Sequence, residues 1–383
     1  MIDWNHVRSQ YMIPDGTVNL NNGSFGPTPR PVFEAMVEYQ RRLAEDPHRF
    51  GELSERLKQV VKPKLAEFVG SHAEYTAVVT NLTYGMNVLS RGIRGLSPGD
   101  EILTTNQEYG AVNNAWDYMA GHRDLVIRKV TIPSPPESAE QIVKLIEEGI
   151  TSRTRVIYCA HVTTTTGLVL PVKRICELAR SRRILTVIDG AHAPGMIRVN
   201  IEEIGCDFYT GNCHKWLCAP LGNAFIAAHP RSWDRLEPFL VGWGWFKDKP
   251  ETWEGNFENP GVHNVGIHNA IGEAIDFQLA IGKEQIEARG RELAEAGKDL
   301  FTRFPGVKLL TPRDPALCGS MAAFSLPPVQ DDKRLAEMLR KRRITVPAGA
   351  NSAGGRMRVS THIHTRMQDL HTLAEALEET YGF

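Results

Sequence analysis

Asp189 follows the apolar run Leu185-Thr186-Val187-Ile188, and Lys215 comes twenty-six residues later within Thr210-Gly211-Asn212-Cys213-His214-Lys215-Trp216-Leu217. An acid at the carboxyl end of a strand stands where open α/β sheets bind ligands. A lysine lodged between His, Trp and apolar residues is unusual, because lysines are seldom buried without a task. Taken singly, each has a plain reading: a loop aspartate and a solvated lysine at a strand end. Together they match the needs of pyridoxal phosphate, a lysine to bond its aldehyde and an acid beside its pyridine nitrogen. The acid keeps that nitrogen protonated, so the ring can draw electrons from a bond breaking at a substrate's α-carbon. The lysine amine can then move the proton.

Other residues supply the remaining parts. Thr80-Asn81-Leu82-Thr83-Tyr84-Gly85 follows a strand and opens a helix, whose free N–H groups and Thr83 hydroxyl suit a phosphate. Ordinary capping by Asn81 is the alternative. Tyr109, after the next strand, can lie flat on an aromatic ring or pack in a core. His192 and Thr163 are candidates for hydrogen bonds to the ring oxygen. Arg356-Met357-Arg358 offers a guanidinium for a substrate carboxylate. Alternation puts both arginines on one face, so the pattern leaves the choice open.

Several chemistries lack their residues. There is no G-x-G-x-x-G after an early strand, no phosphate loop of the G-x-x-x-x-G-K-[ST] type, no G-x-S-x-G elbow and no H-E-x-x-H. His362 and His364 share a strand face, but two ligands do not make a metal site, so core or surface roles are expected and no metal. Cys213 and Cys218 around His214 read as small buried apolar residues. The 44 basic and 45 acidic residues leave a net charge of −1, which provides no field for a nucleic-acid partner. No run approaches a bilayer span, no signal peptide opens the chain, and six irregularly spaced cysteines are no disulfide framework. A cytoplasmic enzyme with no membrane partner is expected.

The elements that must position these residues follow from periodicity. Residues up to about 28 read as loop, and helices follow over Pro31–Glu45 and Leu53–Val69. From Tyr75, short apolar strands alternate with amphipathic helices as far as Ala224–Ala227, the pattern of a mainly parallel sheet covered on both faces. Residues 231–262, with Trp233, Trp243, Trp245 and Trp253, read as a long aromatic loop. One long helix over His268–Phe304 leads to a second α+β unit that closes with a helix over Met367–Tyr381. The expected division is an N-terminal segment 1–20, a large cofactor domain 21–262, and a connecting helix with a small domain over 263–383.

The combination Asp189, His192 and Asn212-Cys213-His214-Lys215-Trp216 resembles class V aminotransferase-fold pyridoxal-phosphate enzymes, most closely the isopenicillin N epimerase branch. Asn22-Gly23-Ser24, Thr83, Glu108-Tyr109-Gly110-Ala111, His161-Val162-Thr163, Gly167 to Val172, Gly242-Trp243-Gly244-Trp245 and Arg358-Val359-Ser360 extend the match over residues 20–362. The resemblance implies fold type I, with Lys215 as the Schiff-base lysine, Asp189 on the pyridine nitrogen and Tyr109 stacked on the ring. It places Leu82 (through its backbone), Thr83, Asn212 and His214 around the phosphate. It also selects Arg358 over Arg356 as carboxylate anchor, adds Asn22, Trp243 and His263 on the substrate side, and implies a homodimer with shared sites. One departure stands out: Gly261-Val262-His263-Asn264 replaces a family G-T-R-[DN]-like segment, exchanging a hydroxyl for Val262 and a permanent cation for His263.

Cysteine desulfurases share the fold but use a mobile cysteine shortly before the arginine motif, and residues 340–357 contain none. The expected reaction is C–S lyase-type β-elimination, or decarboxylation-linked deamination, of an S-conjugated cysteine in secondary metabolism. This expectation follows from a resemblance to enzymes of lincosamide antibiotic biosynthesis that process S-conjugated cysteines in these ways. Epimerisation, racemisation and transamination are the alternatives within the class, and a non-catalytic or metal-binding protein is the alternative outside it.

Overall fold

The computed structural model describes residues 2–242, 253, 255–258, 261–331 and 333–382. Trp243 and Trp245 lie outside the described residues; the rest of the aromatic loop is described over 231–242, with a helical turn at Trp233–Arg235, and again at Trp253, in a short helix, Gly255–Glu258, and at 261–262.

In chain order the strands are β1 (Val18–Asn19), β2 (Thr76–Val79), β3 (Glu101–Thr105), β4 (Val126–Val130), β5 (Thr154–Ala160), β6 (Leu185–Asp189) and β7 (Phe208–Asn212). They continue with β8 (Ala224–Ala228), β9 (Lys308–Leu309), β10 (Met321–Leu326), β11 (Ile344–Thr345), β12 (Ala348–Asn351) and β13 (Gly354–Ser360). β2 to β8 form one sheet in the order β2-β8-β7-β6-β5-β3-β4, parallel except that β8 runs antiparallel to both neighbours. Successive residues face opposite cores: Ile157, Cys159, Ile188 and Tyr209 on one side, Val156, Tyr158, Val187 and Phe208 on the other. That two-faced burial explains the unbroken apolar runs of the sequence. Parallel pairing also brings the carboxyl ends together, with Asp189 opposite both Ala160 and Thr210.

β9, β10, β12 and β13 form a smaller antiparallel sheet, packed against helices that include Met367–Tyr381. The N-terminal segment departs from the loop expectation. Trp4–Ser9 is helical, started by Asp3, whose side chain accepts the Asn5 and His6 N–H groups. β1 pairs in parallel with β11, and Val18 and Leu20 belong to the core of the smaller sheet. The strand thereby carries the turn Asn21–Gly26 to the boundary between the sheets, where Asn21 bridges Ser360.

The single helix expected over 268–304 is two helices, Val265–Ile281 and Lys283–Phe301. Gly282, at φ +102°, breaks the run, a conformation that glycine adopts without steric cost. Apolar periodicity continues through it, which is why the break is hidden in the pattern.

Candidate functional site

The carboxyl ends of the parallel strands and the Asn21–Gly26 turn enclose a cavity of about 230 Å³. Leu82, Thr83, Tyr109, Asn212, His214, Lys215 and Arg358 line it, joined by Ser24, Phe25 and Thr164. Residues scattered over nearly the whole chain thus meet in one place.

Lys215 reaches the cavity with its ammonium group deprived of water, and burial lowers its pKa to about 8 despite the opposing charge of Asp189. Asp189 is buried, which raises its carboxyl above the usual range. One oxygen accepts the Ala191 N–H at 2.8 Å, and no donor among the described residues meets the other. A carboxylate oxygen that no protein donor meets suits an N–H brought by a ligand.

The helix Leu82–Gly92 presents its N-terminus to the same space. Asn81 caps it by accepting the Tyr84 N–H at 2.8 Å, and Asn212 Oδ1 accepts the Leu82 N–H at 2.9 Å. The Thr83 N–H and hydroxyl remain without partners among the described residues, beside the Asn212 amide nitrogen. This leaves the positive end of a helix and unspent donors for a phosphate. The Leu82 N–H, expected among those donors, is taken by Asn212. His214 gives Nδ1–H to the Asn223 carbonyl at 3.0 Å and packs face to face with Phe25, with ring centroids 6.4 Å apart.

Arg358 also lines the cavity, and burial lowers its pKa to about 10. Its Nη1 donates to the Thr164 carbonyl at 3.0 Å, and Nη2 donates to Asn21 Oδ1 at 3.0 Å and Ser24 Oγ at 3.2 Å. Nε is buried without a partner, a vacancy that a carboxylate would fill. Arg356 is exposed and outside the cavity. Replacing Arg358 with Ala is expected to raise KM for α-amino acids by about 10- to 100-fold, the worth of a charged hydrogen-bonded pair, with a smaller change in kcat. Steady-state kinetics on an amino acid and its amide would check this, since the amide should be far less sensitive.

Three candidates fall elsewhere. The Thr163 hydroxyl is buried against Thr166 Oγ1 at 2.7 Å and the Leu168 N–H at 3.0 Å, inside its own turn. Thr164 faces the cavity instead and meets His192 Nε2 at 3.1 Å. Asn22 is fully buried: its Nδ2 donates to the Lys215 carbonyl at 3.2 Å and its Oδ1 accepts His364 Nε2–H at 3.0 Å. It therefore braces the lysine backbone rather than facing a substrate. His263 packs edge-on to Phe50 and close to His268, away from the cavity of its own chain, and the neighbouring Val262 is 93% exposed.

Glu108 is one residue whose role the sequence did not reveal. Burial pushes its carboxyl up to about 8, with the charge of Asp189 adding to the effect. One oxygen accepts the Thr105 hydroxyl at 2.6 Å and the other is unpaired. Gly26 is another, because a Cβ there would lie 1.9 Å from the Lys215 carbonyl oxygen. Gly26→Ala is accordingly expected to cost at least about 1–3 kcal/mol. Thermal unfolding would register it as a Tm lowered by several degrees.

At the strand ends of this α/β fold, Lys215 and Arg358 line one cavity and Asp189 is buried close to Lys215. Residues 18–373 match the family described as Aminotransferase class-V. The isopenicillin N epimerase of Amycolatopsis lactamdurans is 36% identical, with 98% of each chain covered. That of Streptomyces clavuligerus is 35% identical, with 99% of each covered. Among solved structures, the apo cysteine desulfurase of Thermococcus onnurineus NA1 superposes with a TM-score of 0.89 at 22% identity, covering 100% of this chain and 99% of that one. The chain belongs to the class-V aminotransferase family and is a pyridoxal-phosphate-dependent enzyme of fold type I. The cavity fits that cofactor, since the unpaired Asp189 oxygen, the Lys215 amine and the free Thr83 donors are the groups it needs.

Proposed function

We propose that this protein catalyses β-elimination at an S-substituted cysteine, releasing a thiol, with Lys215 as the proton-transferring base. When bound, pyridoxal phosphate supplies an electron sink for bonds breaking at the substrate's α-carbon. Arg358, with its unpaired Nε, holds the α-carboxylate. Lys215, kept near neutrality by burial, takes the α-proton. Asp189 accepts the pyridine N–H, while Thr83, Asn212 and His214 bind the phosphate. Tyr109, 45% exposed in this chain, supplies the surface on which the ring stacks.

The observation that carries this reading is a buried lysine, Lys215, in the cavity that Arg358 also lines, with no accessible thiol. All six cysteines are free and buried. Cys318 bridges Leu168 through its backbone, and the stretch before Arg358 is strand without cysteine. Elimination needs only Lys215, whereas persulfide formation needs an exposed cysteine.

Incubation with S-alkyl cysteines tests the proposal. Thiol, pyruvate and ammonia in equal amounts are expected, and the absence of both thiol and keto acid would reject elimination. Identity with the isopenicillin N epimerases favours a second reading, epimerisation at the same carbon. That reading requires deuterium from solvent at the α-carbon with change of chirality and no thiol.

The division into 21–262 and 263–383 is likewise a proposal, supported by the two separate sheets. So is a cytoplasmic homodimer: the unpaired cysteines suit a reducing compartment, and exposed Phe25 and Val262 suit cover by a partner. Among the described residues no helix is long and apolar enough to cross a membrane.

A further inference from the structure

His192 lies beside Lys215, and each of its polar contacts has a definite direction. Trp216 Nε1 stands 3.2 Å from His192 Nδ1. An indole N–H can only donate, so Nδ1 must carry the lone pair and the ring proton must sit on Nε2. Nε2 faces Lys215 Nζ at 3.3 Å and Thr164 Oγ1 at 3.1 Å, both able to accept when the lysine is neutral.

Trp216 is fully buried and cannot easily turn away. Its carbonyl accepts from His362 Nε2 at 2.7 Å and Gln278 Nε2 at 2.6 Å. Its ring stacks on His362, with centroids 5.7 Å apart and planes 21° apart.

We propose that Trp216 is a positioning residue that locks His192 in its neutral Nε2–H form. His192 then presents a donor, and not a base, to the cofactor site beside Lys215. The role at the cofactor rests on the pyridoxal-phosphate reading above; the tautomer rests on the chain alone.

The surroundings reinforce the lock. Burial, Lys215 and Arg358 all disfavour an imidazolium at His192 and hold it well below the usual histidine range. Asp189, on the same segment, directs its bonded oxygen to the Ala191 N–H. His362, beyond the indole, is itself held near 4 by burial. Protonating Nδ1 would set two N–H groups against each other.

Imidazole 15N spectra of the histidine-labelled protein, with and without pyridoxal phosphate, test the tautomer directly, with His192→Gln to assign the signals. A lone-pair Nδ1 and a protonated Nε2 are expected above about pH 8, where Lys215 is neutral and can accept. A protonated Nδ1 would overturn the proposal.

Trp216→Phe provides the functional arm. The pH titration of bound-cofactor absorbance should gain a step that disappears in the Trp216→Phe, His192→Gln double variant. Cofactor affinity should fall about five- to tenfold, the worth of one hydrogen bond. A Trp216→Phe titration that superimposes on the parent would reject the lock. Should Trp216→Phe fail to fold, the spectra of the unmutated protein decide the matter. Failure to take up pyridoxal phosphate would sink the cofactor reading while leaving the His192 tautomer standing.

Discussion

Lys215→Ala is expected to reduce turnover by about 10²- to 10⁴-fold, the range that a positioned proton-transfer group contributes. The variant should still bind pyridoxal phosphate through the Thr83 and Asn212 donors, but without the absorbance of a covalently attached cofactor. Among the described residues the lysine side chain makes one polar contact, to His192, so its loss should leave the fold intact. The same group sets a pH dependence. Attachment requires the neutral amine, so the rate of cofactor uptake should rise with pH to about 8 and then level off. An ordinary lysine would let the rise continue to about 10.4. The sign for stability follows from the same values. Between about 8 and about 10.4 the unfolded chain holds a proton that the folded chain lacks, so this group's contribution to cofactor-free stability increases with pH across that window. Stopped-flow uptake and pH-dependent unfolding would measure the two effects separately.

Asp189→Asn should lower kcat by about 10²- to 10³-fold, the typical loss when a preorganised charge opposite a developing one is removed. The change is nearly isosteric, and the Ala191 N–H can still be accepted by the amide oxygen. Cofactor occupancy should therefore stay close to that of the parent while the chemical step slows. A fall in kcat with unchanged occupancy identifies an electronic role. A loss of occupancy with normal kcat per bound cofactor would identify a merely structural one.

Much of this site was legible in the sequence because its main residues sit at strand ends. Asp189 closes β6, Asn212 closes β7 and Thr83 opens the helix after β2, positions that alternating strands and helices advertise. What was hidden depends on local turns and distant contacts. Nothing in four consecutive threonines tells which one turns inward; Thr163 is spent on Thr166 and Leu168, so Thr164 reaches the cavity. Asn22 carries a polar side chain in a glycine-rich turn, which reads as a ligand contact. Its partners, the Lys215 carbonyl and His364, come from far along the chain and could not be inferred from spacing. The break at Gly282 was masked because apolar periodicity persists on both sides of it. The pairing of β1 with β11, which carries Asn21 and Ser24 to Arg358, is also non-local.

The central claim is that Lys215 is the residue to which pyridoxal phosphate becomes attached. Borohydride reduction of the cofactor-loaded protein, followed by digestion and mass spectrometry, tests it most directly. The expected result is one pyridoxyl-phosphate adduct per chain, on the peptide carrying Asn212 to Leu217, at Lys215. An adduct on another lysine, or a loaded protein that yields none, would contradict the account.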